Sequence, residues 1–83
     1  MIHLPEIWDI LKKYLKRDKW YDLKEIYTIV KIHGNLDADD MQGQSPNSEI
    51  HKWKRNVRNV LQYRKTIGEI QWNRNSKYML KNE

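Results

Sequence analysis

The stretch Ser48–Leu80, SEIHKWKRNVRNVLQYRKTIGEIQWNRNSKYML, decides the fold. Its first part has the period of a helix. Ile50, Trp53, Val57, Val60, Leu61, Arg64 and Ile67 run along one side; His51, Arg55, Arg58, Gln62 and Lys65 lie on the other. Ser48 suits the N-cap and Gly68 the stop. The period then changes to two. Ile70 and Trp72 alternate with polar neighbours, as do Tyr78 and Leu80. Asn73, Asn75 and Ser76 are turn residues, and Arg74 and Lys77 place two positive charges at the tip. The spacing predicts a basic helix over 48–67 and a hairpin over 69–80.

The charge is concentrated in the same stretch. Residues 1–47 hold seven basic and eight acidic residues. Residues 48–66 hold six basic ones (Lys52, Lys54, Arg55, Arg58, Arg64, Lys65) against Glu49. Residues 67–83 hold three basic and two acidic residues. One segment of 19 residues thus matches the whole net charge of +5. A solvated helix face usually mixes signs. A one-signed stripe is the electrostatic footprint of a polyanion partner.

Upstream, Leu4, Ile7, Trp8, Leu11, Tyr14 and Leu15 recur at helical spacing, with Pro5 in the first turn and Lys16 and Arg17 at the negative end of the dipole. This predicts an N-terminal helix over 1–17. Asp18–Tyr21 is too short for a helix and reads as a brief strand. Asp22, with Glu25 three residues on, opens a second helix like a capping box. Leu23, Ile26, Tyr27 and Val30 form its apolar face, and Gly34 stops it. Residues 34–47 are a loop by composition and long for a connection. A lone hairpin is marginal in water, so the strands must pack on the helices, with Trp20–Asp22 as a third strand.

A chain of 83 residues allows a single small domain, here taken as 1–83. Nine aromatics are too many for a typical disordered tail. The absence of cysteine removes disulfides, zinc–cysteine sites and thiol nucleophiles. No apolar run is long enough to span a membrane. Asp37, Asp39 and Asp40 lack calcium-loop spacing, and His3, His33 and His51 lack metal spacing. No nuclease constellation is present. The chain is read as non-catalytic, with no metal and no cofactor.

Helix, strand, helix, basic helix and hairpin in this order follow the plan of an α+β winged helix-turn-helix. It has three helices and a small antiparallel sheet, with the third helix as recognition helix and the hairpin as wing. Residues Arg58–Trp72 followed by Lys77-Tyr78-Met79-Leu80, with Asp22–Tyr27 upstream, make the likeness more specific. They resemble the winged-helix domains of restriction endonucleases, including the N6-methyladenine readers of methyl-directed enzymes fused to HNH nucleases. The resemblance covers roughly residues 20–81. It implies double-stranded DNA binding by a targeting module, with adenine methylation as the mark read. It also implies a nuclease domain in the same full-length chain and a cytoplasmic protein of prokaryotic type. Lys81-Asn82-Glu83 stops right after the last strand, which reads as a cut between domains.

On this plan the DNA-contact candidates are Asn47, Ser48, His51, Lys52, Lys54, Arg55, Arg58, Asn59 and Gln62 on the helix, with Arg74 and Lys77 on the wing. Arg can read guanine and Gln can read adenine through paired hydrogen bonds. A methylated adenine needs an apolar or aromatic wall, for which Trp20, Tyr21 and Trp53 are the candidates. A Trp at helical or strand spacing is more often core, so Trp8, Trp72 and Trp53 are first assigned to packing. Other readings stay open on the residues alone. One is a protein-interaction or dimerisation module of the same fold, another a transcriptional regulator binding unmodified DNA, and a third an RNA binder.

Overall fold

A computed structural model describes residues 2–36 and 52–81. Its elements are α1 (Leu4–Tyr14), β1 (Trp20–Asp22), α2 (Leu23–His33), α3 (Lys52–Thr66), β2 (Ile70–Trp72) and β3 (Lys77–Leu80). The fold is α+β, three helices on a three-stranded antiparallel sheet of order β1-β3-β2. The expected third strand forms: Trp20 stands opposite Met79 and Tyr21 opposite Tyr78. In the hairpin, Ile70 faces Leu80 and Trp72 faces Tyr78.

The helix ends have local causes. Helix α1 ends at Tyr14, short of the expected residue 17. Leu15 is already extended, and its N–H bonds to the Leu11 carbonyl. Asp18 takes a left-handed φ of 63°, and its N–H bonds to the Leu80 carbonyl at 3.0 Å. The turn therefore feeds the chain straight into β1. Asp22 caps α2, its Oδ1 accepting from the Glu25 N–H at 2.8 Å. Gly34 closes α2, and a Cβ there would lie 2.6 Å from the Val30 carbonyl oxygen and 2.9 Å from Ile2. Beyond α3, the Gly68 N–H bonds to the Lys65 carbonyl and the Glu69 N–H to the Arg64 carbonyl. That pair of bonds is the Schellman motif, and Gly68 supplies its left-handed φ of 85°. The start of the expected third helix, with its Ser48 cap, lies outside the described residues.

The hairpin turn is organised by Asn73. Its Oδ1 accepts from the N–H groups of Asn75 and Lys77 at 2.7 and 3.1 Å. Arg74 and Ser76 both take left-handed φ values, 65° and 66°. The tip is not free. The Leu23 N–H bonds to the Ser76 carbonyl at 3.1 Å, joining the turn to the start of α2.

One core joins all six elements. Ile7, Trp8 and Leu11 of α1 meet Ile26 and Val30 of α2, and Trp53, Val57, Val60 and Leu61 of α3. Tyr21, Ile70 and Leu80 close it from the sheet. Among the described residues, fourteen buried apolar side chains form a continuous core, and burying a large aliphatic or aromatic side chain contributes about 1.5–3 kcal/mol.

Four expected core positions are corrected. Trp72 is 38% exposed and Ile67 48% exposed. Helix α3 stops at Thr66, so Ile67 falls in the turn and leaves the helix face. Trp72 shares a sheet face with Ile70 but sits at the hairpin-tip end of a three-residue strand, beyond the full cover of the helices. Tyr14 is 39% exposed and stacks flat on His33, with ring centres 3.6 Å apart. Leu4, expected on the apolar side of α1, is also exposed.

Candidate nucleic-acid interface

Helix α3 separates apolar from basic residues as its period predicts. Trp53, Val57, Val60 and Leu61 are buried, while Arg55, Arg58 and Gln62 are exposed. The apolar residues anchor the helix against α1, α2 and β2, and the polar side turns outward. Lys52, Lys54 and Lys65 are half-buried at its edges.

The basic side chains lie against rings. Lys54 Nζ sits 5.4 Å from the Tyr27 ring centre and 5.7 Å from that of Trp53. Lys65 Nζ sits 4.6 Å above the Trp72 ring. Ring quadrupoles attract cations at such distances, for about 0.5–1 kcal/mol at exposed sites. The Lys65–Trp72 contact joins the outward side of α3 to the hairpin. Arg58 lies within electrostatic reach of Tyr27. Burial raises the hydroxyl pKa of Tyr27 above its ordinary value, the positive charge of Arg58 opposes the shift, and Tyr78 adds to it. Tyr27, Tyr78 and Trp72 thus flank the stripe, although none was a sequence candidate. The available signal was the spacing of Lys54, Arg58 and Lys65, four and then seven residues apart. That spacing puts all three on one side of a helix, towards α2 and the sheet.

The remaining candidates divide. Asn59 is exposed on the other flank of α3, where it borders an apolar groove with Leu4, Pro5, Trp8, Val60 and Tyr63. Arg64, which the spacing set on the apolar side and which was not a contact candidate, belongs to the scaffold. Its guanidinium lies 4.4 Å from the Trp8 ring centre and pairs with Glu69 at 2.7 Å. Arg74 and Lys77 are exposed in and after the hairpin turn. Asn47, Ser48 and His51 lie outside the described residues.

Trp20, Tyr21 and Trp53 do not gather into one open pocket. Trp53 and Tyr21 are buried in the core. The Tyr21 hydroxyl accepts from the Lys16 N–H at 3.0 Å, and the Trp53 ring packs edge-on to Tyr27. Its Nε1–H has no hydrogen-bond partner among the described residues. Trp20 is 39% exposed. Successive strand residues point to opposite faces, so Trp20 lies on the sheet face away from Tyr21. An aromatic wall beside the stripe would come from Trp72, Tyr78 and Tyr27 instead.

Among the described residues there is no cluster of metal-binding side chains and no helix long and apolar enough to cross a membrane. Comparison of the chain with protein-family models, with curated proteins and with solved structures found no match.

Proposed function

We propose that the chain is a winged helix-turn-helix that binds double-stranded DNA. Helix α3 enters the major groove, and the β2–β3 hairpin lies on the flanking backbone as a short wing. The observation that carries this reading is the one-signed outward side of α3, exposed at Arg55, Arg58 and Gln62 and continued by Lys65 onto Trp72. The major groove admits an α-helix. The order α1-β1-α2-α3-β2-β3 and the strand order β1-β3-β2 suit that docking. In this reading the domain is the non-catalytic targeting module of a restriction endonuclease, and it prefers N6-methyladenine.

The two parts are tested separately. Titrating the protein with a duplex at rising salt should give a steep linear loss of affinity on logarithmic axes. Absence of binding at low salt, or a flat response, would remove the duplex reading. Paired duplexes with and without N6-methyladenine then test the mark. A methyl group in an apolar setting is worth about 0.8 kcal/mol, so a preference of roughly fourfold is expected from burial alone. Equal affinity would leave a binder of unmodified DNA.

A further inference from the structure

A second basic region lies away from the outward side of α3. Residues 12–19 hold five basic residues (Lys12, Lys13, Lys16, Arg17, Lys19) and one acidic residue, Asp18. The near-neutral sum over residues 1–47 conceals this run, because most of the acids lie elsewhere. The fold adds Lys81 to it. The Asp18 N–H bonds to the Leu80 carbonyl, and Arg17 Nη1 donates to the Lys81 carbonyl at 2.5 Å. The end of β3 is thereby tied to the turn after α1.

Between them opens a cleft of about 250 Å³, bordered by Trp8, Lys12, Arg17, Glu69, Leu80 and Lys81. Trp8 and Leu80 give it an apolar base. Among the described residues that line it, Glu69 is the acid, and it is already paired with Arg64 at 2.7 Å, so it offsets little of the surrounding positive charge. Lys81 is exposed and has no acidic partner among the described residues. Among the described residues the acidic partner of Lys12 is Asp9, at 3.5 Å in an exposed pair that holds weakly, and its ammonium lies 5.7 Å from the Trp8 ring centre at the cleft. The nearby amides of Gly68 and Glu69 are spent on the Schellman bonds, so side-chain cations must do the binding. The space is below the usual range for an organic ligand, yet ample for a tetrahedral anion.

From this geometry we infer that the cleft between the end of α1 and the end of β3 is a second anion site, which takes a phosphate group between Lys12 and Lys81. Arg17 acts as a positioning residue, fixing the Lys81 backbone through its carbonyl. The site goes beyond the α3 reading and does not depend on it. A phosphate can come from a nucleic-acid backbone or from a small phosphorylated molecule.

The test uses the full chain and two probes, inorganic phosphate and a duplex oligonucleotide, with amide resonances as readout. Saturable shifts at Gly68, Glu69 and Lys81 with phosphate are expected, together with their loss in a Lys12→Glu, Lys81→Glu double variant. If the phosphate is that of DNA, the double variant also binds the duplex about eightfold more weakly at ~0.1 M salt, with a salt slope smaller by about 0.9. Phosphate shifts with unchanged duplex affinity assign the site to a small phosphorylated molecule. No shift at these amides with either probe overturns the proposal. That result would leave the α3 reading standing, because the α3 side chains are intact throughout.

Discussion

Arg58 offers the sharpest perturbation of the proposed interface. It is exposed on the polar side of α3, away from the buried Val57 and Val60, and its charge is felt at the Tyr27 hydroxyl. Replacing it with Ala should therefore leave stability within about 0.5 kcal/mol, as for surface changes in general. Its effect on binding can be worked out. Each phosphate neutralised contributes about 0.9 to the slope of log affinity against log salt. Losing one such contact lowers affinity about eightfold at ~0.1 M salt by the same relation. If Arg58 instead grips a guanine edge through two hydrogen bonds, the loss is about 1–3 kcal/mol and discrimination at that base pair relaxes. Arg58→Lys separates the cases. Lysine keeps the charge but cannot present the planar fork. Near-full affinity for Arg58→Lys identifies a phosphate contact; a loss like that of Arg58→Ala identifies a base contact. Fluorescence anisotropy with a labelled duplex over a salt series, beside thermal melts, measures both quantities. If Arg58→Ala changes neither affinity nor slope while melting like the parent, α3 does not face the DNA at this position, and the docking proposed here is wrong.

Two further outcomes test the scaffold. Asp22→Ala removes the acceptor for the Glu25 N–H and should cost about 1 kcal/mol, a drop of roughly 4–8 °C in Tm for a domain this size; Asp22→Asn, which keeps an acceptor, should stay near the parent, and equal losses in both would mean the cap is not the cause. Tyr27 has a hydroxyl pKa raised chiefly by burial above the ordinary 10.0, so folding favours its neutral form. The associated stability is present below that ordinary value and is lost as pH rises through the higher folded one. Melting curves taken across this alkaline range should show the parent losing more stability than Tyr27→Phe, and parallel losses would refute the assignment.

Much of the fold was legible because its punctuation is local. Asp22 with Glu25, Gly34, Gly68 and Asn73 each act through bonds to residues at most five positions away. Such devices are visible in a sequence with no knowledge of tertiary structure. The third strand was also legible, since an isolated hairpin needs a partner. What escaped were the ends of elements. Trp72 and Ile67 fit their apolar patterns, yet the cover over an apolar side depends on where the neighbouring helix stops. Here α3 stops at Thr66, one residue before Ile67. The same limit applied to the candidate site. Period alone separated Arg55, Arg58 and Gln62 from the core, but it could not show that Lys54 and Lys65 lie on Tyr27 and Trp72, which come from other elements. Trp20 and Tyr21 were undecidable for a related reason. Two adjacent strand residues exchange faces with a one-residue change of register, and that register is set by pairing with Tyr78 and Met79.

These ring contacts change how the basic stripe should work. A lysine that reaches into solvent must be immobilised to hold a phosphate, at about 0.5–1.5 kcal/mol for each ordered side chain. Lys54 and Lys65 are already held over rings, so they have less freedom to lose. They also have a contact to surrender, worth about 0.5–1 kcal/mol each if the ammonium leaves the ring. The two effects are of similar size and opposite sign, so net affinity from these lysines should be small unless the ring contact persists in the complex. Persistence is geometrically natural for Lys65, because an ammonium has three donors and needs only one side against Trp72. In that arrangement Trp72 holds the hairpin to α3 through the same cation that meets the phosphate. On the proposed docking, Lys65 would govern the angle between α3 and the hairpin more than the strength of binding. Affinity would rest on the arginines of the outward face, and orientation on the lysines held by rings.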